Sequence, residues 1–211
     1  TYKINASLTI PPYAHLVGEG PDKTIIKNSA SAPALVTEDD EGQVYGNIGD
    51  SDATAPTQIQ ISNMTIRTTV AYGGLSIDNA TKVFVNNVKF QGTFVSGGTD
   101  SATSKGVTVK STTALPCTNI VFNQCQFTGF ARLVDMSYDV TNVRFTNCDF
   151  NTAYYGAMLG ETMDGSTNGL TVGPRDIQFS GSSWSTIGQQ AIYVKASSTT
   201  TGIGTRNVIS Y

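Results

Sequence analysis

The sequence predicts an all-β fold, a single-stranded right-handed parallel β-helix of three-strand coils with roughly seven to eight rungs. Three observations predict it. An eight-residue pattern recurs five times without internal gaps. A second short apolar segment follows each copy. The composition is 39% hydrophobic but only 14% charged, with polarity supplied by Ser, Thr, Asn and Gly, residues that favour extended and turn conformations over helices.

The opening stretch reads as three short strands, 8–12 (LTIPP), 16–20 (LVGEG) and 23–27 (KTIIK), punctuated by Pro, Gly and Asp turns. Segment 38–56 is acidic and Gly-rich without strand periodicity, so a protruding loop is expected there. Its carboxylates, Asp39, Asp40, Glu41, Asp50 and Asp52, do not follow an EF-hand spacing.

The repeat copies are 59–66 (IQISNMTI), 83–90 (VFVNNVKF), 120–127 (IVFNQCQF), 143–150 (VRFTNCDF) and 177–184 (IQFSGSSW), and a sixth begins at Val208. Alternation at the first and third positions marks a half-buried strand. The fifth position holds Asn63, Asn87, Gln124, Asn147 and Gly181. Asn and Gly tolerate the left-handed backbone that a sharp bend requires. Beyond the bend the inward set restarts, ending on Ile66, Phe90, Phe127, Phe150 and Trp184. Stacked coils would turn Phe90, Phe127, Phe150 and Trp184 into one aromatic column in the core.

Copies start at intervals of 24, 37, 23, 34 and 31 residues. The short intervals fit one basic coil, and the longer ones a coil carrying an insertion at 97–104, 112–116, 165–174 or 197–204. The second strands are expected at 74–77 (GLSI), 106–109 (GVTV), 132–136 (RLVDM), 157–159 (AML) and 191–194 (AIYV). Residues 1–211 thus form one β-helix domain, read as a piece of a longer chain because it starts on Thr1 and breaks off inside a repeat.

The net charge of −3 and pI near 5.0 leave no basic footprint for nucleic acid. No apolar run is long enough to span a membrane, so no insertion is expected. Cys117, Cys125 and Cys148 cannot all pair and have no metal-ligand spacing with the single His15, so neither a disulfide scaffold, a metal nor a cofactor is expected. Cys125 and Cys148 fall on adjacent rungs with parallel Cα–Cβ vectors, which favours a reduced pair.

The phrases LTIPP, LVGEG and KTIIK, together with the repeats, resemble the pectate-lyase-like superfamily of right-handed β-helices, and the likeness spans nearly the whole chain. It implies the fold more strongly than an activity. The polygalacturonase-like elements (Asn-Thr-Asp, a strand Asp-Asp, Gly-His-Gly, Arg-Ile-Lys) are missing, and QGTF at 91–94 replaces the pectinesterase-like Gln and Asp elements. No Arg base with clustered Asp ligands on one strand face stands in for a calcium-dependent lyase.

What remains is generic carboxylate chemistry. Asp135, Glu161 and Asp164 fall in neighbouring coils and are the candidate catalytic carboxylates, since a glycosidase needs two carboxyls roughly 5 to 9.5 Å apart. Tyr138, Tyr154 and Tyr155 lie nearby as candidate glycan contacts. The sequence leans against catalysis. The low charge, free cysteines and missing motifs are most like a phage tail fibre or tailspike β-helix segment. That resemblance implies a virion tail location, a homotrimer, other tail subunits as partners and host-surface polysaccharide as ligand. The alternative expectation is a secreted polysaccharide lyase or hydrolase.

Overall fold

The structure, a computed structural model, describes residues 1–37, 56–111, 116–160, 173–194 and 206–211. Among them there are strands and turns but no helix. The strands in chain order are β1 (Tyr2–Ile4), β2 (Leu8–Ile10), β3 (His15–Val17), β4 (Ile25–Asn28), β5 (Leu35–Thr37), β6 (Thr57–Thr68), β7 (Leu75–Asp78) and β8 (Thr81–Gln91). They continue as β9 (Lys105–Lys110), β10 (Cys117–Asn123), β11 (Gln126–Ser137), β12 (Val140–Thr146), β13 (Asp149–Leu159), β14 (Arg175–Ser180), β15 (Ser183–Ile187), β16 (Ile192–Val194) and β17 (Arg206–Ser210).

Every pairing between these strands is parallel, and together they form one 17-stranded sheet, an arrangement consistent with a β solenoid. The pairings fall into three series. The first runs β3, β6, β8, β10, β12, β14, β17. The second runs β1, β4, then the later parts of β6 and β8, the early parts of β11 and β13, and β15. The third runs β2, β5, β7, β9, the later parts of β11 and β13, and β16. In the first series Ile59, Val83, Ile120, Val143, Ile177 and Val208 stand in register, the same alignment that the repeat pattern predicts.

The bends between series have a simple backbone cause. Asn63, Asn87, Gln124, Asn147 and Gly181 have φ of 57°, 52°, 53°, 52° and 59°, the left-handed region. Asn87 Nδ2 donates to Asn63 Oδ1 at 2.8 Å, so neighbouring bends are also tied to each other. A second left-handed column opens the first series, at Gln58, Lys82, Asn119, Asn142, Asp176 and Asn207 (φ 53–59°). Sequence reading passed over this column, although a polar residue stands just before the first apolar position of every copy.

The core is the space enclosed by the three series. Phe90, Phe127, Phe150 and Trp184 stack face to face with centroids 5.0, 4.9 and 4.1 Å apart. A second stack, Phe122, Phe145 and Phe179, has spacings of 4.7 and 4.8 Å. The two stacks meet edge to face, as between Phe122 and Phe127 at 5.9 Å. All three cysteines are buried and free.

Candidate functional site

The third series is where the solenoid pattern is broken chemically. Its inward residues are apolar: Leu75, Val107, Val134, Ala157 and Ile192 share one register column, and Ile77, Val109, Met136, Leu159 and Val194 the next, all buried except in β16, where Ile192 is half-buried and Val194 exposed. The alternate positions carry Ser76, Thr108 and Asp135 in one column and Asp78, Lys110 and Ser137 in another. Such positions are usually wet, yet Ser76, Asp78, Thr108, Asp135 and Ser137 are all buried, as are Lys105 and Arg132. Burying so many charges is costly unless they are paired.

They are paired. Arg132 is the hub: Nε and Nη2 donate to Asp100 Oδ1 and Oδ2 at 2.9 and 2.6 Å, and Nη1 donates to Asp135 Oδ2 at 2.9 Å. The hydrogen bonds from Arg132 hold the Asp100 carboxyl below its ordinary range. Asp100 comes from the 97–104 insertion, which is fastened to β11 again where the Ala131 amide donates to Ser104 Oγ at 3.1 Å. Lys105 Nζ lies 3.1 Å from Asp135 Oδ2 as an ion pair, but outside hydrogen-bonding geometry.

One coil earlier stands a second pair. Lys110 Nζ is 3.6 Å from Asp78 Oδ1, which also accepts from Ser76 Oγ at 2.9 Å. Asp78 is pinned at its backbone too, its amide donating to Thr37 Oγ1 at 2.9 Å while that hydroxyl donates to the Asp78 carbonyl at 3.3 Å. Burial pushes the Asp78 carboxyl up from 3.8 to about 6, against the opposing pull of Lys110. This second pair, together with Lys105 of the first cluster, lines a cleft of about 360 Å³, whose walls also include Tyr72, Ser76 and Thr108.

On the other side of the ion pairs the same face is aromatic. Tyr155 pairs in register with Arg132, which in turn pairs with Lys105. Its ring stacks on Tyr193 at 5.4 Å and meets Tyr154 edge-on at 4.8 Å. All three rings are half-buried. The face therefore runs from tyrosine rings, through a planar guanidinium clamp, to a polar cleft. Sugar rings are bound by such a combination, with C–H faces on aromatic rings and hydroxyls on fixed donors and acceptors.

The sequence candidates are distributed unevenly on this map. Tyr154, Tyr155 and Asp135 come together on the third series. Tyr138 lies at the other end of β11, in a left-handed bend with φ 70°, six residues or roughly 20 Å along the strand from Arg132. Asp135 is 1% exposed and held by Arg132 and Lys105. Glu161 and Asp164 lie outside the described residues, as does nearly all of the 38–56 loop. Asn63, Asn87 and Asn147 stand in the bend column, and Phe90, Phe127, Phe150 and Trp184 in the core stack. No group of three or more His, Cys, Asp or Glu among the described residues is arranged to hold a metal ion, and no described helix is long and apolar enough to cross a membrane.

Sequence reading missed Asp78, Asp100, Lys105, Lys110, Arg132 and Tyr193. The signal was opposite charges at outward positions of consecutive second strands: Asp78 at the end of β7, Lys105 and Lys110 bounding β9, Arg132 and Asp135 within β11.

No family model and no curated protein matches this chain. Among solved structures it is similar to the N-terminal fragment of bacteriophage phi29 gene product 12, at 11% identity and a TM-score of 0.57 over 99% of this chain. The chain spans 40% of that fragment. Looser matches are ORF18 of Geobacillus virus E2 (TM-score 0.35, 12% identity, 100% of this chain and 52% of that one) and the A-module of the Azotobacter vinelandii mannuronan C-5 epimerase AlgE4 (TM-score 0.31, 11% identity, 95% and 85%). At those TM-scores neither bears on the fold or the function, and at 11% identity the phi29 likeness concerns the fold alone.

Proposed function

We propose that this chain, which shares its fold with a phage gene product, is a right-handed parallel β-helix of three-strand coils, roughly seven to eight rungs, serving as a rigid segment of a viral tail fibre or tailspike. Its lateral face contacts host-surface polysaccharide. The observation that carries the glycan part of this reading is the third-series face: Tyr155 in contact with both Tyr154 and Tyr193, next to the Arg132–Asp100 clamp and the 360 Å³ cleft. The shaft part is supported by stacked coils with two continuous aromatic columns, which resist bending. A homotrimer within the virion tail, joined to other tail subunits, completes the reading.

The same face supports binding better than bond cleavage. Asp135 is committed to two cations and almost sealed from solvent, so it is poorly placed to exchange protons with a substrate. The test is a glycan array combined with a reducing-end assay. Binding that is lost in Tyr155→Ala, with no release of reducing ends, is the expected result. Depolymerisation abolished by Asp135→Asn, Glu161→Ala or Asp164→Ala would overturn it in favour of a polysaccharide lyase or hydrolase.

A further inference from the structure

The outward side of the second strand series carries a row of cations on its first coils. Lys3 of β1, Lys27 of β4 and Arg67 of β6 pair in register, so their side chains leave the sheet from three consecutive rungs. Rungs of this kind are about 4.8 Å apart. Lys3 is exposed, and Lys27 and Arg67 are half-buried. None of the three makes an ion pair with a carboxylate among the described residues. Like charges directly opposite one another on neighbouring strands destabilise a sheet. The chain has 16 Asp and Glu against 13 Lys and Arg, yet no described carboxylate is spent on offsetting this cost.

Beyond Arg67 the same column continues as hydrogen-bonding groups, with Gln91, Thr128, Asn151 and Ser185 one to a rung. Arg67 Nε donates to Gln91 Oε1 at 2.7 Å, which fixes the guanidinium and leaves its two terminal nitrogens without an acceptor among the described residues. Asn151 Oδ1 accepts from Thr152 Oγ1 at 2.8 Å, so its amide nitrogen is the end left for a ligand. Carboxylates belong to the neighbouring column. Asp22 lines a hollow of about 260 Å³ with Lys89, and Asp149, two rungs past Lys89, accepts from Ser183 Oγ at 2.7 Å. The positive stretch is therefore confined to β1, β4 and β6.

We propose that this column is a binding track for a linear acidic polysaccharide laid along the stacking direction. One uronate carboxylate sits on each of Lys3, Lys27 and Arg67, and hydroxyls of the following sugars meet Gln91 and Thr128. The row is one side chain wide, which suits a single chain rather than a nucleic-acid duplex with phosphates on two strands. Its cations repeat at every rung, close to the advance per residue of an extended 1,4-linked pyranose chain. A polyol phosphate instead places a whole polyol between its charges. The free nitrogens of Arg67 form the planar fork that grips a carboxylate through two hydrogen bonds. The track belongs to a different strand series from Tyr155, so its ligand does not depend on the tyrosine face binding glycan.

The experiment is calorimetric titration of the full chain at neutral pH, at low and at tenfold higher salt. The probes are 1,4-linked oligogalacturonates of one, three and six residues, poly(glycerol phosphate) and neutral dextran. The trimer and hexamer are expected to bind saturably, at least about 10-fold tighter than the monomer as contacts on successive rungs add. The tenfold rise in salt should weaken them roughly 10- to 100-fold, and dextran should be inert. Lys3→Gln, Lys27→Gln and Arg67→Gln should each weaken the hexamer about 3- to 10-fold. Arg144→Gln removes the same charge from the exposed face of the first series and should leave the affinity unchanged, as should Tyr155→Ala. Lys3→Gln changes an exposed side chain on the first strand, so its loss of affinity is not a loss of fold. The proposal is overturned if the trimer binds no better than the monomer, if poly(glycerol phosphate) or dextran binds as tightly as the hexamer, or if salt has no effect. It is equally overturned if Arg144→Gln weakens binding as much as Lys27→Gln, or if Tyr155→Ala abolishes it, which would put the acidic chain on the tyrosine face. A blank titration beside a positive, Tyr155-dependent glycan array removes the track and leaves the tyrosine face as the glycan site.

Discussion

At the scale of single residues, Asp78 links this fold to pH. Its carboxyl is pushed from 3.8 to about 6 by burial, which Lys110 and Ser76 only partly offset. The folded state therefore holds a proton that the unfolded chain has released, over the window between those two values. Stability from this group is fully present below the unfolded value and is lost as pH rises through the folded one. Two units correspond to about 3 kcal/mol. Asp78→Asn keeps the shape and cannot ionise, so the unfolding free energy of wild type minus that of Asp78→Asn is expected to fall by about 2 kcal/mol between pH 4 and pH 7. Urea titrations of both proteins across that range measure it, and two parallel curves would refute the assignment. The bend residues teach a different lesson at this scale. Asn63, Asn87 and Asn147 are readable in the sequence because few side chains tolerate φ near 55° without strain. Lys82 and Gln58 adopt the same φ and are not readable, since nothing about their chemistry favours it and only the paired strands on either side hold them there.

At the scale of elements, close approach between coils is as constraining as packing inside them. Gly92 follows β8 where its backbone lies against Gly129 in β11, and a Cβ on Gly92 would sit 2.2 Å from the Gly129 carbonyl oxygen. The two strands are hydrogen-bonded there, with the Gly92 amide donating to the Thr128 carbonyl at 2.9 Å and the Phe94 amide to the Gly129 carbonyl at 2.7 Å, so neither backbone can retreat cheaply. Gly92→Ala is expected to cost about 1–3 kcal/mol. Gly188→Ala, whose added Cβ meets nothing closer than 3.5 Å, is expected to be neutral or slightly stabilising. Equal losses of chemical-denaturation stability in the two variants would show that the close approach does not matter. The first two strand series were legible because their pattern is local: eight consecutive residues hold two inward sets and a bend. The candidate site was legible only in part, through Tyr154, Tyr155 and Asp135, because its other members are joined across insertions. Asp100 meets Arg132 over 32 residues of sequence, and that contact exists only once β9 and β11 are known to be neighbours.

At the scale of the whole molecule, cohesion passes from each coil to the next. Phe90 stacks on Phe127, Phe127 on Phe150, and Phe150 on Trp184, while the edge-to-face contacts of the second stack join the same or adjoining coils. A structure of this kind behaves as a one-dimensional array, in which cooperativity depends on the coupling between neighbours. Phe127, like Phe145 and Phe150, touches four other rings, and its own are Phe90, Phe122, Phe145 and Phe150. Phe127→Ala should remove about 3–5 kcal/mol, and it should do so at the junction between the coils of β6 to β8 and those of β13 to β15. The chain has one tryptophan, Trp184, stacked on Phe150 beyond that junction, so its emission reports one side alone, while far-UV circular dichroism reports both. In the wild type the two signals are expected to change together in urea. In Phe127→Ala they should separate, with Trp184 emission and the bulk of the β signal moving at different midpoints, because each side then unfolds on its own stability. A variant that still shows one coincident transition, merely shifted to lower urea, would mean that the paired backbones couple the coils without help from the aromatic stack.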